Sequence, residues 1–437
     1  MTSPLVLVTG ATGYIASRLI PRLLDSGHRV RCLARDPLRL KGRSWFNKVD
    51  IFQADVTNPE SLIQAFDGVD TAYYLIHNMS AGHGYTKIEL DGARNFATAA
   101  EHAGVEHIIY LGGLADPEQH IAPHMRSRIE TGKVLREGKV PVTEFRAGVI
   151  TGSGSISFEM IRFMTELFPS VPAPAWMHNR SQPIAIQNII DYLFAALENK
   201  NGQGQVFEIG GPEITTYKDL MLRYAKIRGL KRNMLILPYI PLWFMAFGVG
   251  LMTPVPYPIA YALIGGLSAD SVVKHPEALK IFPEVNLIDF DSAAKDALVK
   301  THPLHIEHIW DDGKQTALKH EGCFIDHREL QINASLENVF KALEHIARKR
   351  NWQIEINDEK TRMLVHNQDP CFGKYWVEWR KAPGSLTGRF ADLTYLSQTI
   401  FFSPNGLSGF IHWYFSVLFH NVKLGYLIKH TTHKITG

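Results

Sequence analysis

A glycine-rich stretch near the start of the chain has the residue types and the spacing of a phosphate-binding turn. Thr9-Gly10-Ala11-Thr12-Gly13-Tyr14-Ile15-Ala16 follows an apolar strand candidate and opens an amphipathic helix pattern. Gly10 permits a tight turn, and Gly13 lets backbone N–H groups approach a pyrophosphate at the positive end of the helix. We therefore expect a dinucleotide to bind through the residues of this turn, Thr9, Gly10, Thr12, Gly13, Tyr14 and Ile15.

Arg35 directly follows the second strand candidate, Val30–Ala34, where a bound dinucleotide places its adenosine ribose. At this position an acidic residue accepts a hydrogen bond from the ribose 2′-hydroxyl, whereas an arginine pairs with a 2′-phosphate. Arg35, with Arg39 nearby, therefore favours NADP(H) over NAD(H). A solvated surface arginine remains the alternative.

The next two strands end in further candidates for contact with the cofactor. Asp55 and Val56 follow a strand over Val49–Ala54, and Leu75 and Ile76 end a strand over Thr71–Ile76. Asp55 is placed to bond the adenine amino group, although an aspartate at a strand end is also a common turn residue. Tyr73, Tyr74 and His77 lie where substrates bind in open α/β sheets, or they belong to the core.

The elements that position these residues alternate strand and helix patterns over the first 150 residues. This alternation predicts an α/β fold with a doubly wound, parallel Rossmann sheet. We expect residues 1–305 to form this domain, with a cofactor half (1–150) and a substrate half (151–305). Residues 306–437 predict a separate α+β domain: a strand, a helix capped by Ser335, four further strands, and a closing helix over Gly409–Lys429.

Several sequence blocks resemble the atypical, NmrA-like branch of the short-chain dehydrogenases/reductases. They include the turn above, Ala72-Tyr73-Tyr74-Leu75-Ile76-His77, Tyr110-Leu111-Gly112-Gly113-Leu114 and Ser181-Gln182-Pro183-Ile184-Ala185-Ile186. The segment from Leu396 to Tyr414 is similar to a C-terminal extension found in some bacterial members. That resemblance implies a helix-grip fold of the START/polyketide-cyclase type for the second domain.

The resemblance also implies a catalytic tyrosine with a lysine four residues later, and this chain has no such pair. Gly112 and Gly113 stand where the serine of the usual triad is expected. His124, Arg126 and Lys133 are candidate substitutes that could polarise a carbonyl group or donate a proton. The alternative is that the charges around Lys133 form a solvated helix face.

Composition excludes several classes of protein. The 437 residues carry 46 Lys and Arg against 43 Asp and Glu, and this balance lacks the basic footprint of a nucleic-acid binder. Cys32, Cys323 and Cys371 are too few and too far apart for a disulfide scaffold, which suits a reducing cytoplasm. Histidines recur at short spacings at 302, 305 and 308 and at 120 and 124, but no cysteine or carboxylate completes a set, so no metal site is expected.

A run without Asp, Glu, Lys or Arg extends from Asn233 to Ala269. Its five prolines interrupt any stretch of the ~20 residues that a membrane-spanning helix needs. Two interpretations remain: a buried, proline-kinked segment, or an apolar surface that touches a membrane or lines a hydrophobic site. Because the N-terminus lacks the pattern of a signal peptide, we expect a cytoplasmic protein, with peripheral contact to the inner face of the membrane as an option.

These observations together favour an NAD(P)-dependent oxidoreductase that acts on a small hydrophobic molecule with NADP(H) as cofactor. One rival is a redox sensor that binds NADP(H) without catalysis, because the Tyr/Lys pair is missing. Another is a membrane-peripheral lipid-handling protein, suggested by the apolar run 233–269.

Overall fold

The computed structural model describes residues 3–40, 43–77, 85–116, 118–119, 121–252, 255, 257–303, 316–320, 323–332, 334–358, 361–381, 394–416 and 430. These residues divide into two compact units. Unit 1 contains the described residues of 3–165 and 170–300. Unit 2 contains 166–169 and the described residues from 301 onward.

The first half of unit 1 alternates strands with helices along the chain. Its elements are β1 (Leu5–Thr9), α1 (Ala16–Asp25), β2 (Arg29–Ala34), β3 (Asp50–Gln53), α2 (Pro59–Ala65), β4 (Thr71–Tyr74), α3 (Tyr85–His102), β5 (His107–Gly113), α4 (Pro123–Arg136) and β6 (Val142–Ala147). All six predicted strands are present, with ends within three residues of the predicted bounds. Short glycine- or proline-containing connections end several of these elements, and Gly27 and Gly104 follow α1 and α3 with positive φ angles.

The remainder of the chain up to residue 300 consists of shorter elements. They are β7 (Ile150–Thr151), α5 (Ile156–Leu167), β8 (Ser170–Pro174), β9 (Arg180–Ser181), β10 (Ile184–Ala185), α6 (Ile186–Glu198), β11 (Val206–Ile209), β12 (Thr215–Thr216), α7 (Tyr217–Ile227), β13 (Asn233–Leu237), α8 (Leu242–Met252), α9 (Tyr257–Gly266), α10 (Ala278–Ile281) and α11 (Phe290–Val299).

Seven strands of the described chain form one parallel sheet in the order β3-β2-β1-β4-β5-β6-β11. The strand order reverses between β1 and β4, which is the topological switch point where open α/β sheets bind ligands. The predicted doubly wound Rossmann sheet is therefore confirmed.

Alternation along β1 explains why both faces of this sheet are covered. Val6 and Val8 point into one apolar core with residues of α1 and α6. Leu5 and Leu7 point into the opposite core with residues of α2 and α3. A strand that is buried on both faces reads as a continuous apolar run, as Leu5–Thr9 does.

The apolar run 233–269 forms β13, α8 and α9. Ala246 and Val249 of α8 and Ala260 and Ile264 of α9 are buried in a small core, whereas large apolar side chains on the other faces of these helices are exposed. The run is therefore partly buried and has an exposed apolar face, and contact with a membrane stays a prediction. None of the helices in the described ranges has the length and hydropathy that a membrane span requires.

Unit 2 is an α+β unit, as the sequence predicts. It contains β14 (Thr316–His320), β15 (Cys323–Ile332), α12 (Leu336–Lys349), β16 (Gln353–Asp358), β17 (Arg362–Asp369), β18 (Gly373–Lys381) and β19 (Thr394–Pro404). Within the described residues, six strands pair antiparallel in the order β14-β15-β19-β18-β17-β16. The pattern analysis missed β14.

Helix α12 begins where the sequence predicts. The Ser335 hydroxyl accepts a hydrogen bond from the Asn338 backbone N–H at 3.4 Å. The helix ends at Lys349, and Asn351, two residues later, has a φ of 54°, the left-handed conformation that often follows the end of a helix. The predicted closing helix is present over residues 406–416, and residues 417–429 lie outside the described ones.

Candidate functional site

A cleft opens at the carboxyl ends of the first four strands of unit 1; we refer to it as the β1–β4 cleft. It has a volume of about 580 Å³. Its walls come from the segments that follow β1, β2, β3 and β4, which meet at one edge because the strands are parallel. Of the predicted cofactor-binding residues, the following line it: Gly10, Thr12, Gly13, Arg35, Asp55, Val56, Leu75 and Ile76.

The glycine turn at the base of the cleft has a tight backbone conformation in which a side chain at Gly10 or Gly13 would clash with neighbouring carbonyl oxygens. Gly10 has a φ of +65°, and a Cβ atom added to it would lie 2.6 Å from the Leu75 carbonyl oxygen. A Cβ atom at Gly13 would lie 3.0 Å from the Gly10 carbonyl oxygen. The backbone is therefore open to close approach by a bulky group, as a pyrophosphate requires.

Thr9 is buried and does not have the cofactor-contacting position that its motif predicts. Its side chain is buried, its hydroxyl donates to the Tyr73 carbonyl oxygen at 2.9 Å, and it accepts from the Leu75 backbone N–H at 3.0 Å. Thr9 does not line the β1–β4 cleft. It fixes the end of β4 against the glycine turn and so positions the cleft wall.

The start of α1 supports the assignment of an anion site. No side chain of the described residues caps the N-terminus of α1. Backbone N–H groups and the positive end of the helix dipole are therefore directed toward the turn that lines the cleft. The cradle at Gly10 and Gly13 and this helix end together fit the diphosphate of a dinucleotide.

Two arginines lie at the outer end of the cleft, after β2. Arg35 and Arg39 both line the cleft and both are exposed. The single acidic neighbour in this stretch is Asp36, whose Oδ1 accepts from the Leu38 backbone N–H at 3.0 Å. Asp36 keeps its negative charge in this turn, and the two arginines leave a net positive charge in this stretch.

Asp55 stabilises a turn, which is one of the two roles that the sequence predicts for it. Its Oδ1 accepts hydrogen bonds from the Thr57 backbone N–H and the Thr57 hydroxyl, each at 2.9 Å. Asp55 also lines the cleft, so the two roles are compatible. Contact with an adenine group stays a prediction.

A second cavity, which we name the Arg128 pocket, continues from the β1–β4 cleft. Its volume is about 210 Å³, and its walls include the segments after β5 and β6. Gly10 to Gly13 line the cleft, and the next two residues, Tyr14 and Ile15, line the pocket. The order along one turn places the pocket directly beyond the phosphate end of the cleft.

Two neutral histidines and one cation are among the polar residues of the cleft and the pocket; Asp270, two tyrosines and three serines also line the pocket. Burial and the positive charge of Arg128 lower the pKa of His124 to about 4 and that of His77 to about 3. The His77 Nε2–H donates to the Leu111 carbonyl oxygen at 3.1 Å, a bond that favours the Nε2-protonated tautomer. His124 is only 4% exposed, and its Nδ1 has no hydrogen bond to any described residue.

Arg128, which together with Glu130 and Lys133 the charge pattern assigns to a charged helix face, lines the pocket. His124 lines the Arg128 pocket as a candidate catalytic residue, but Arg126 and Lys133 are exposed on α4 and line neither cavity. Residues four apart share one helix face, so the placement of His124 was a usable signal for Arg128. A charge pattern alone does not show which face meets the pocket.

The structure explains why a glycine stands where the usual triad has a serine. A Cβ atom added to Gly113 would lie 2.7 Å from the Met125 Cε and 3.1 Å from the Arg128 Cδ. The space above the end of β5 is therefore filled by the side chains of α4. Gly113 is needed so that Arg128 can occupy this position.

Tyr73 and Tyr74 belong to the core. Both are fully buried, and the Tyr73 hydroxyl donates to the Leu193 carbonyl oxygen at 2.8 Å. Burial raises the pKa of both phenols far above the usual value. Neither side chain can serve as an acid or a base at neutral pH.

A smaller apolar cavity adjoins the Arg128 pocket; we name it the methionine pocket. It has a volume of about 100 Å³ and shares Val149, Tyr217 and Leu263 with the Arg128 pocket. Five methionines line it: Met160, Met164, Met177, Met221 and Met245. Flexible, polarizable thioethers adapt to apolar ligands of different shapes.

The histidine spacings do not combine into a metal site in the described part of the chain, where no group of three possible ligands occurs. His302 pairs with Glu355. His120, His305 and His308 lie outside the described residues.

Comparison with known proteins is consistent with this architecture. Residues 2–170 match the NmrA-like family. The chain is 27% identical over 272 residues to the (4-alkanoyl-5-oxo-2,5-dihydrofuran-3-yl)methyl phosphate reductase of Streptomyces griseus, an alignment that covers 60% of this chain and 85% of the relative.

Two solved structures share the fold of unit 1. The triphenylmethane reductase of Citrobacter sp., complexed with NADP(H), has a TM-score of 0.55 and 20% identity, covering 67% of this chain and 99% of the other. The NADPH-dependent quinone oxidoreductase of Escherichia coli, complexed with NADPH, has a TM-score of 0.54 and 17% identity, covering 66% and 98%. At these identities the likeness shows the Rossmann fold alone.

Proposed function

We propose that unit 1 is an NADP(H)-dependent reductase whose substrate is a hydrophobic carbonyl compound or enone. The observation that carries this proposal is the Arg128 pocket, which places a cation and a buried, unbonded histidine nitrogen next to a dinucleotide cradle. The named activities of the relatives, reductases of hydrophobic or ring-shaped compounds, support the same class.

NADP(H) is proposed in preference to NAD(H) because of the charge at the ribose end of the cleft. A 2′-phosphate there would meet Arg35 and Arg39. Asp36, which could accept from a ribose hydroxyl, already accepts from a backbone N–H. The named complexes of the two structural neighbours with NADP(H) and NADPH also support this choice.

The residues of the pocket suit a reduction without the Tyr/Lys pair. A bound nicotinamide supplies hydride chemistry, and the protein supplies orientation and electrostatic stabilisation. Arg128 would stabilise the negative charge that develops on the substrate oxygen in the transition state. His124 stays neutral above pH 5, because its pKa is about 4, so it would orient the oxygen by a hydrogen bond while solvent supplies the proton.

The apolar part of the substrate would occupy the methionine pocket. This cavity adjoins the Arg128 pocket and has an almost entirely apolar lining. A substrate with a polar reacting group at Arg128 and an aliphatic or aromatic body among the methionines matches both cavities. This arrangement favours a hydrophobic ketone, enone or isoprenoid-like molecule.

For unit 2 we propose a helix-grip fold of the START type. The strand-helix-strand order and the antiparallel sheet beside one long helix support it. In this proposal the unit stores or presents the apolar substrate. A direct test is binding of a fluorescent fatty acid by full-length protein, compared with protein in which Trp413 is replaced by alanine.

The rival function is an NADP(H) sensor without turnover. The absence of the Tyr/Lys pair favours it, and the exposed positions of Arg126 and Lys133 remove two candidate substitutes from the cavities. A sensor must distinguish NADPH from NADP+ in affinity or respond to only one of them with a change of shape.

The experiment that separates these functions starts from the full-length protein. NADPH and NADP+ affinities are measured first, and then NADPH oxidation is followed with a panel of hydrophobic enones and ketones. We expect turnover that Arg128→Ala lowers by about 10²–10³-fold, with NADPH affinity retained. Arg94→Ala, an exposed arginine on α3, is the matched control, and Arg126→Ala tests an exposed arginine of α4. Absence of turnover with a strong NADPH/NADP+ preference would replace the reductase by the sensor.

A further inference from the structure

The helical hairpin of α8 and α9 presents an apolar outer surface, which we name the hairpin face. It consists of six side chains that are each 44–59% exposed: Trp243, Phe244, Phe247, Leu251, Tyr257 and Tyr261. On α8 the inward positions, Ala246 and Val249, are small or medium-sized and buried. The larger apolar residues are therefore on the outside.

This distribution is the reverse of an ordinary surface helix. A helix that packs on a globular core keeps charged and polar residues on its outer face. The stretch from Asn233 to Ala269 contains no Asp, Glu, Lys or Arg, and its exposed positions on the hairpin are occupied by aromatic rings and leucine. Exposed apolar patches of this kind mark contact with a partner or a membrane.

The composition of the face and of its flank favours a lipid bilayer. Tryptophan and tyrosine are enriched where protein meets the headgroup region, because their rings are apolar and their N–H or O–H groups are polar. The chain from Leu220 to Ala269 contains five basic residues and no acidic one, and all five precede the hairpin, between Arg223 and Arg232. Arg223 is paired with Glu213 and Asp291. Lys226, Arg228 and Lys231 are exposed, and basic residues next to a bilayer attract anionic headgroups.

One contact ties this basic segment to the side of the hairpin. The Arg232 Nε–H donates to the Thr165 carbonyl oxygen at 2.7 Å. Met164, the residue before Thr165, lines the methionine pocket together with Met245 and Val249 of α8. The positive charge and the apolar face therefore belong to one region of unit 1.

The hairpin also separates this face from the candidate substrate site. Met245, Val249, Leu263 and Ile264 of its inner side line the methionine pocket. A molecule dissolved in a bilayer under the hairpin would have two short helices between it and the Arg128 pocket.

We propose that the hairpin face docks unit 1 on an anionic lipid bilayer. The contact is monotopic: the apolar rings insert at the level of the headgroups, and the basic segment lies over anionic phosphates. The docking does not depend on the proposed reductase activity.

The test uses full-length protein and flotation with vesicles of phosphatidylcholine, with or without phosphatidylglycerol. We expect the wild-type protein to float with the anionic vesicles. Phe244→Ser/Phe247→Ser should lower its partition coefficient at least tenfold. The matched control is Ile63→Ser/Val299→Ser, two apolar residues of unit 1 that are exposed away from the hairpin, and it should float like the wild type.

A second readout needs no destabilising substitution. Brominated lipids should quench wild-type tryptophan fluorescence, and Trp243→Phe should remove most of this quenching. Failure of the wild type to float, equal flotation of the hairpin variant, or a wild-type dimer that Phe244→Ser/Phe247→Ser dissociates would each overturn the proposal. NADPH affinity without vesicles is measured in parallel, so that failure of docking and failure of the cofactor assignment are distinguished.

Discussion

Replacing Arg35 by alanine tests the charge at the ribose end of the β1–β4 cleft. Arg35 is exposed and lines the cleft where a 2′-phosphate would lie. NADH lacks that phosphate and is otherwise the same ligand, so it isolates the contact. The expected result is weaker binding of NADPH with little change for NADH.

The magnitude follows from the exposure of the side chain. A charge-assisted hydrogen bond contributes about 1.5–3 kcal/mol, and an exposed ion pair about 0.2–1 kcal/mol. Arg35 would make a charge-assisted hydrogen bond but is exposed to solvent, so we expect its contact with the 2′-phosphate to contribute about 1–2 kcal/mol. Since 1.4 kcal/mol is a factor of about ten, the Kd for NADPH should rise about 5- to 30-fold. Added salt should reduce the difference between wild type and variant.

The assay is fluorescence or calorimetric titration of both nucleotides with the wild type, Arg35→Ala and Arg29→Ala. Arg29 is a matched control because it is exposed on the same strand at the amino end, opposite the cleft. The reasoning is refuted if Arg35→Ala weakens NADPH and NADH equally, or if Arg29→Ala has the same effect as Arg35→Ala.

The remaining predictions concern the pocket, the buried histidines and unit 2. Gly113→Ala should displace the Met125 and Arg128 side chains, because its new Cβ atom would lie 2.7 Å from the Met125 Cε and 3.1 Å from the Arg128 Cδ; kcat should fall, but less than in Arg128→Ala, with NADPH affinity retained, and full kcat would contradict this. Burial lowers the pKa of His107 and His124 to about 4, below the usual ~6.5 of an unfolded chain. Protonation therefore favours the unfolded state, and the free energy of unfolding should decrease as pH falls from 6.5 toward 4, by up to ~1.4 kcal/mol per pH unit for each histidine. Urea titrations at several pH values should show that the free energy of unfolding depends less steeply on pH in His107→Asn/His124→Asn than in the wild type. An unchanged pH dependence would refute the lowered pKa values of these two histidines. Ser335→Ala should lower the stability of unit 2 by about 1 kcal/mol through loss of the helix cap, as measured by urea unfolding followed by tryptophan fluorescence; an unchanged midpoint would contradict the cap.

Local patterns were sufficient for the strands of the sheet and for the turn that follows β1. Val6 and Val8 alternate with Leu5 and Leu7, and a short, β-branched apolar run that ends at a glycine favours a strand covered on both faces. The turn needs a left-handed backbone at residue 10, and glycine adopts this conformation without strain. Ser335 likewise carries its capping group on its own side chain. These features depend on residues that are close together in the chain, so they can be predicted from the sequence.

The charge pattern of α4 does not distinguish Arg126 from Arg128, although the spacing from His124 favours Arg128. Both are arginines on one helix, two residues apart, and their charge does not show which of them meets a cavity. The pocket exists because strands distant in the chain end at one edge of the sheet, and because Gly113 leaves room for the Arg128 side chain.

Residue types at short spacing were enough to predict the parallel sheet, the glycine turn after β1 and the charge-free run. The three-dimensional packing was needed to show that Thr9 holds the end of β4, that Tyr73 and Tyr74 are core, and that His124 and Arg128 line one pocket. It also decided that Phe244 and its neighbours are exposed while Val249 is buried. The physical reason is that burial and the pairing of charges depend on which helix faces meet, and these faces are brought together by contacts between residues far apart in the chain.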